Sequence, residues 1–158
     1  MIIQRNKLFS KRPRDPLPNG GKLDMPEEWT SKTIIYDLEY VGEYNNHRKV
    51  LGKNEKDFVD SLKQDLRDGY VMQDNPDRSK EENELINTHY LKDYSKKGKW
   101  VFSKSISPAD RMVYTIGTPQ LDEETDIVHV LIKIYSLIGH LIPGEKTKQY
   151  SHTEEGGK

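Results

Sequence analysis

Apolar and polar residues alternate along four stretches of this chain, and such alternation is typical of half-buried β-strands. The stretches are residues 33–44, 99–106, 111–117 and 127–135. The pattern is strongest in the last stretch, where every second residue from Val128 to Ile134 is valine or isoleucine. In the third stretch, Arg111 lies on the face opposite Met112 and Tyr114. The sequence therefore predicts four strands.

A four-residue apolar period after the first strand predicts a helix. Phe58, Leu62 and Leu66 recur at this spacing and form one apolar stripe. Asn54 is the expected N-terminal cap and Gly69 the expected stop. We expect this helix to pack against the sheet.

A second, shorter helix is predicted at residues 79–86, because Ser79 and Glu82 have the spacing of a capping box. Residues 45–47 are predicted to form a turn or loop. The predicted order is then strand, helix, helix and three strands. This order predicts an α+β fold, in which an antiparallel sheet of about four strands carries the helices on one face.

The length of 158 residues fits one domain. Hydrophobic residues make up 33% of the chain and are concentrated within residues 33–142, the predicted domain. Residues 1–32 hold Pro13, Pro16, Pro18 and Pro26 and are predicted to form an extended N-terminal extension. Residues 143–158 are predicted to form a C-terminal tail.

Charge is segregated along the chain although the net charge is only −1. Residues 1–22 and 89–111 are mainly basic, whereas residues 54–84 are mainly acidic. Such segregation can direct an anionic ligand to one face of a protein. The alternative is that these runs are solvated charges on loops.

Several classes of protein are excluded or disfavoured. The chain has no cysteine, so disulfides and thiolate metal sites are excluded. No apolar run approaches the roughly 18 residues that span a bilayer, and the N-terminus lacks the apolar segment of a secretory signal. We expect cytoplasmic residence without membrane association. No metal, nucleotide or dinucleotide motif is present, so no metal and no cofactor is predicted.

Four residues are candidates for metal-independent RNA cleavage. This reaction needs a base near the 2′-hydroxyl, cations at the phosphate and an acid for the departing 5′-oxygen. Histidine suits either proton-transfer role because its ordinary pKa is near neutrality. The predicted strand order brings four such side chains toward one edge of the sheet: His89, Lys92, Arg111 and His140.

Five further residues are candidate RNA contacts: Lys96, Lys97, Lys99, Lys104 and Trp100. Lysines of this kind bind phosphates, and an exposed aromatic ring can stack on a base. Trp100, Phe102 and Lys104 are predicted to share one face of their strand. The alternative is a solvated lysine turn and a tryptophan in the core.

The segment that holds these candidates resembles the RelE/YoeB-type bacterial toxins. It contains Leu91-Lys92, a glycine loop, residues 102–106 (FSKSI), residues 111–114 (RMVY), a long apolar strand and a trailing His140. The resemblance covers about residues 33–141. It implies a compact α+β fold, cleavage of ribosome-bound mRNA to leave a cyclic phosphate, and an antitoxin that binds and neutralises the protein.

The resemblance also implies individual roles. Arg111 matches the arginine that stabilises the transition-state phosphate, and Lys92 matches a basic residue near the scissile phosphate. His140 falls where the family has its general acid. His89 aligns with the glutamate that serves as the base in the YoeB-like branch. Each of these residues also has a structural interpretation, as an ion-pair residue, a surface residue or a hydrogen-bonded histidine.

Two other interpretations stay open. Ser105 stands where a second arginine is usual and Leu141 where a tyrosine often follows the histidine, which favours a non-catalytic protein of the same fold. Such a protein would bind RNA, the ribosome or a protein partner through the basic face between Lys92 and Arg111. Alternatively, the basic residues 1–22 dock on the acidic helices of a second copy, forming a homodimer, or cover the chain's own active face.

Overall fold

A computed structural model describes residues 15–96 and 98–139, together with two short strands at 141–142 and 148–149. Eight strands are present in these residues: β1 (Ile34–Tyr40), β2 (His89–Tyr90), β3 (Lys99–Ser105), β4 (Arg111–Gly117), β5 (Gln120–Asp122), β6 (Ile127–Ser136), β7 (Leu141–Ile142) and β8 (Lys148–Gln149). The three α-helices of the described residues are α1 (Tyr44–Val50), α2 (Lys53–Arg67) and α3 (Lys80–Ile86). The fold is therefore α+β, as the sequence predicts.

Six of the described strands form one sheet in the order β1-β6-β4-β3-β2, with β5 paired to β6 beyond the end of β4. The strands β3, β4 and β6 are antiparallel neighbours, which confirms the predicted meander. The predicted antiparallel sheet of about four strands is confirmed in part: the sheet is mostly antiparallel, but β1 runs parallel to β6, and the short strands β2 and β5 bring the total to six. The strands β7 and β8 form a separate antiparallel pair.

The predicted loop at residues 45–47 is instead part of α1. The first residue of α1, Tyr44, is buried and stacks on Tyr40 at the end of β1, with ring centroids 4.3 Å apart. Burial of such a large ring stabilises a helix whose own residues have modest helix propensity. Tertiary packing therefore overrides the local Asn45-Asn46 turn signal.

The two predicted helices are present. The helix α2 begins at Lys53 after Gly52, so the prediction of Asn54 as its cap is wrong, whereas Gly69 has the positive φ of 96° expected of a helix stop. The predicted capping box of α3 is confirmed. The Glu82 amide donates to Ser79 Oγ at 3.0 Å, and the Ser79 amide donates to Glu82 Oε1 at 3.3 Å.

The three helices pack on one face of the sheet, which we call the helix face. The core there joins Leu62 and Leu66 of α2 to Phe102, Tyr114 and Ile132 of the sheet, all fully buried. We call the opposite side the far face. It holds a smaller cluster in which Leu91, Val101 and Val113 are buried against Tyr94.

The described part of the N-terminal extension lies against this body. Leu17 and Leu23 pack on the core, and Gln73 Nε2 donates to the Gly21 carbonyl at 2.9 Å. The remainder of the predicted extension and most of the predicted tail lie outside the described residues. Within the described ranges, none of the helices has the length and apolar character that crossing a membrane requires.

Candidate functional site

Arg111 is the first residue of β4 and lies on the far face. Its cross-strand partner in β3 is Ser105, and Arg111 Nη1 donates a hydrogen bond to Ser105 Oγ. This contact fixes the orientation of a partly buried guanidinium. Ser105, the residue that replaces the second arginine of the resembled family, therefore serves here to hold Arg111.

His89 lies on the same face as Arg111. In β2 it pairs with Ser103, which in turn pairs with Val113 of β4, two residues beyond Arg111. Strand spacing of about 4.8 Å and a rise of about 3.4 Å per residue put the Cα atoms of His89 and Arg111 roughly 12 Å apart. Ser103 and Val113, which lie between them on this face, are fully buried.

Two buried hydroxyl groups lie in the same row of the sheet as His89. Ser103 is next to His89, and Ser136 of β6 pairs with Val113, on the other side of Ser103. Within the described residues, neither Ser103 Oγ nor Ser136 Oγ has a hydrogen-bond partner. Unsatisfied buried hydroxyls are rare in native proteins.

The backbone that precedes His140 is attached to the start of β4. The Gly139 amide donates to Asp110 Oδ1 at 2.9 Å, so the chain leaves Gly139 beside the residue that precedes Arg111. His140 itself lies outside the described residues, as does Lys97. Their predicted roles stay predictions.

His47 is a residue of this region that sequence reasoning missed. Its Nδ1 accepts hydrogen bonds from the Leu137 and Ile138 amides at 3.0 and 3.2 Å. An Nδ1 that accepts from two amides carries no proton, so the neutral ring has its proton on Nε2. Burial lowers the pKa of His47, although the nearby charges of Glu43 and Asp110 act in the opposite direction. His47 thus positions the segment that leads to Gly139.

A helical period would have revealed His47. Tyr44, His47 and Leu51 are three and four residues apart, which is the spacing of one helix face. The structure shows Tyr44 and Leu51 in the core and His47 half-buried beside them. The adjacent Asn45 and Asn46 favour turns, so the local sequence predicts a loop in place of this helix.

The predicted lysine candidates are not all near Arg111. The Leu91 amide donates to the Val101 carbonyl, and Val101 pairs with Thr115, four residues from Arg111. The turn that begins at Lys92 is therefore roughly 13 Å or more along the sheet from Arg111. Lys92 and Lys96 are exposed in this turn.

Lys99 is placed differently from the other lysines of the turn. It lies on the far face, and its Nζ is 5.8 Å from the ring centroid of Tyr135. Tyr135 flanks the shift in register where β6 pairs with Val113 and Tyr114. The Lys99 ammonium therefore reaches along the far face toward the rows that hold Arg111 and His89.

Lys104 and Trp100 lie on the helix face, together with Phe102 as predicted. Lys104 is only 1% exposed, and its Nζ donates to Thr88 Oγ1 at 2.9 Å. Burial lowers its pKa to about 8, against the attraction of Asp65 and Asp74. Trp100 is half-buried against the core. Both side chains lie away from Arg111, so they are not part of the far-face site.

The described residues contain no group of three or more histidine, aspartate or glutamate side chains that could hold a metal ion. No family model matches this chain, no curated protein matches its sequence, and no solved structure matches it. The resemblance to RelE/YoeB-type toxins therefore stays a prediction that rests on the residues that carry it.

Proposed function

We propose that this protein is an endoribonuclease that cleaves RNA without a metal ion at the far-face site of Arg111 and His89. The observation that carries the proposal is their arrangement. Ser105 holds the guanidinium on the same face as the imidazole, two residues and two strands away. The sequence resemblance adds that the domain is RelE-like, that the substrate is ribosome-associated mRNA and that an antitoxin is the protein partner.

The chemistry follows from the properties of these groups. His89 takes the proton of the 2′-hydroxyl, and the resulting oxygen attacks the adjacent phosphorus. Arg111 stabilises the negative charge that builds up on the phosphoryl oxygens. The bond to the 5′-oxygen breaks, and that oxygen takes a proton from the general acid, for which His140 is the sequence candidate. The products are a 2′,3′-cyclic phosphate and a 5′-hydroxyl end.

Lys99 supports the proposal from the same face. Its ammonium over the Tyr135 ring adds a positive charge on this face that can bind an RNA phosphate. Lys96 and Lys92 add exposed positive charges beyond the start of β3. In this arrangement they bind the backbone at a distance from the scissile phosphate.

The test is an assay of translated mRNA and free RNA with the full chain, in the presence of EDTA. We expect cleavage by the wild-type protein and a loss of about 10²- to 10³-fold for Arg111→Ala, the range for removal of a charge-stabilising donor. Lys80→Ala, an exposed cation at the start of α3, is the matched control and should leave the rate unchanged.

The ends of the RNA products provide a second readout. Cleavage by the proposed route leaves 5′-hydroxyl ends that a kinase can label directly. Absence of cleavage by the wild-type chain, or equal cleavage by Arg111→Ala, would overturn the proposal. Circular dichroism of each variant separates loss of activity from loss of fold.

A non-catalytic RNA-binding protein is the second candidate. It is favoured by the distance of Lys92 from Arg111 and by a serine at position 105, because a binder needs no convergence on one phosphate. The double variant Arg111→Ala/His140→Ala distinguishes the two functions. RNA binding that survives in this variant, with no cleavage by either form, would select the binder.

A further inference from the structure

A second cationic site lies on the helix side of the molecule, between the end of β1, α1 and α2. It is an open cleft of about 490 Å³. Six of its lining residues matter here: Tyr40, Tyr44, Arg48, Asp60, Lys63 and Arg67. None of them belongs to the far-face site.

Two stacked tyrosines form one wall of this cleft. The rings of Tyr40 and Tyr44 are 4.3 Å apart and nearly parallel, at 12°. Lys63 Nζ donates to Tyr44 Oη at 3.0 Å and lies 4.5 Å from the centroid of the Tyr40 ring. Arg67 Nη2 approaches Tyr40 Oη at 3.4 Å. Both phenol oxygens therefore lie next to cationic groups at the cleft.

The cations of the cleft outnumber its carboxylates. Arg48, Lys63 and Arg67 face one acid, Asp60, which leaves a net charge of +2. Asp60 accepts two hydrogen bonds from Arg48 Nη2, at 3.0 and 3.1 Å, and is 3.8 Å from Lys63 Nζ. Among the described residues, no carboxylate lies within 4.0 Å of the Arg67 guanidinium. The Arg67 charge is thus not neutralised within this site.

Lys63 is a largely desolvated cation. Its side chain is 13% exposed. Burial by itself lowers the pKa of Lys63, but the hydrogen bonds to Tyr40 and Tyr44 outweigh burial and raise it. The ammonium is therefore charged at neutral pH. A charge with little water around it attracts an anion more strongly than one in bulk solvent.

We propose that this cleft binds a phosphate-bearing ligand, with the phosphate held between Lys63 and Arg67. The two residues are four apart in α2, so their side chains extend from the same helix face. A phosphate monoester carries close to two negative charges, which match the net charge of the cleft, and its three oxygens accept several donors at once. The volume of the cleft lies in the range of small-molecule sites.

The test is a calorimetric titration of the full chain with inorganic phosphate, AMP and adenosine. We expect saturable binding of phosphate and AMP, and none of adenosine at the same concentrations. Tighter binding of AMP than of phosphate identifies a nucleotide ligand, whereas equal affinities identify the phosphate group as the whole determinant. Adenosine binding as tight as that of AMP, or no saturable binding of either phosphate compound, would overturn the proposal.

Charge-matched variants locate the site. Arg67→Gln and Lys63→Met should each weaken binding at least tenfold. The control Lys53→Gln removes one positive charge from the start of the same helix, where Lys53 is 87% exposed and pairs with Asp57, and should stay within twofold of wild type. Equal weakening by Lys53→Gln would show non-specific attraction and contradict the proposal.

The variant Arg111→Ala separates this cleft from the proposed nuclease site. It should retain the saturable binding of phosphate and AMP that Arg67→Gln and Lys63→Met weaken, whatever it does to RNA cleavage. Loss of binding in Arg111→Ala would place the ligand at the far-face site and overturn the assignment of the cleft. Far-ultraviolet circular dichroism of Lys63→Met checks that loss of the tyrosine contact has not unfolded α1.

Discussion

The two faces of the central sheet use the same strands in different ways. On the helix face, Phe102, Tyr114 and Ile132 are fully buried and have apolar neighbours. On the far face, an apolar centre at Val101 and Val113 is flanked by polar side chains, which include the arginine and histidine of the proposed site. One face holds the protein together, and the other has side chains that can bind a polar ligand.

Lys104 and Arg111 show what this difference means for basic residues. Both belong to the segment that resembles a nuclease motif, yet they lie on opposite faces of neighbouring strands. Lys104 lies in the core against Thr88, whereas Arg111 donates to Ser105 on the far face. The side on which a charge lies decides its role more than its position in a motif.

The largest expected effect comes from truncation on the helix face. Ile132→Ala removes a fully buried side chain, and we expect it to lower the free energy of unfolding by about 2–5 kcal/mol. Its neighbour Leu131 is on the far face and 37% exposed, so Leu131→Ala should cost about 1 kcal/mol or less. Urea denaturation of both variants measures the contrast. Equal losses would show that the far face is packed as tightly as the helix face.

Removal of the buried charge on the helix face should stabilise the protein at neutral pH. The pKa of Lys104 falls from its ordinary 10.5 to about 8, so between these values the unfolded chain binds more protons. Wild-type stability therefore rises with pH over this window. We expect Lys104→Met to gain about 1–3 kcal/mol at pH 7.

The advantage of Lys104→Met over wild type should shrink as the pH rises from about 8 toward 10.5. Denaturation midpoints between pH 7 and 10 measure this trend. Lys99→Met, on the far face, is the control and should change stability by no more than about 0.5 kcal/mol. A variant of Lys104 that is less stable than wild type at every pH would show that its contact with Thr88 outweighs desolvation.

The junction after β6, where the chain turns toward Gly139, depends on a neutral His47. His47→Ala removes an acceptor of two amides and should cost about 2 kcal/mol, at about 1 kcal/mol for each hydrogen bond. Because burial lowers the pKa of His47, its stabilising effect is complete above the ordinary pKa and is lost as the pH falls through the lowered value.

His47→Asn is the informative variant because an asparagine oxygen can replace Nδ1 as acceptor without titrating. We expect wild type to lose stability relative to His47→Asn as the pH falls below about 6.5. Thermal melts from pH 5 to 7.5 measure the difference. If the melting temperatures of the two proteins change with pH in parallel, protonation of His47 does not control the stability of the junction.

The smallest effect is expected for a histidine–aspartate hydrogen bond on the far face. His129 Nδ1 and Asp37 Oδ2 are 2.8 Å apart, and their side chains are 39% and 48% exposed. Such a pair contributes at most about 1 kcal/mol, so Asp37→Asn should be nearly neutral in urea denaturation. Asp126→Asn, which removes the exposed pair with Lys32, is the matched control. A loss of stability well above that of the control would show that the Asp37 contact contributes more than an exposed pair does.

Periodicity predicted the long elements of this fold well. The strands β1, β3, β4 and β6 and the helices α2 and α3 follow from repeating apolar positions and a capping box. The direction of β1 does not follow, because alternation is the same in parallel and antiparallel strands. The short strands β2 and β5 have too few residues to show a period.

The candidate site was less predictable. Alternation separates Lys104 from Arg111, but it does not reveal which face the helices cover, because Val101 and Val113 make the far face apolar as well. The register in which the strands pair could not be predicted from alternation either. It places Ser105 opposite Arg111 and His89 opposite Ser103, and it depends on contacts between distant segments.

The position of β1 at the border of the sheet also bears on self-association. Among the strands that the structure describes, β1 has no neighbour on its outer side, so its backbone groups there form an edge to which another strand could add. Asp37 and Glu39 project from this edge strand, and joining two copies of it about a two-fold axis would bring four carboxylates together. Like charges so close oppose such pairing, so β1 discourages growth of the sheet into oligomers or fibrils.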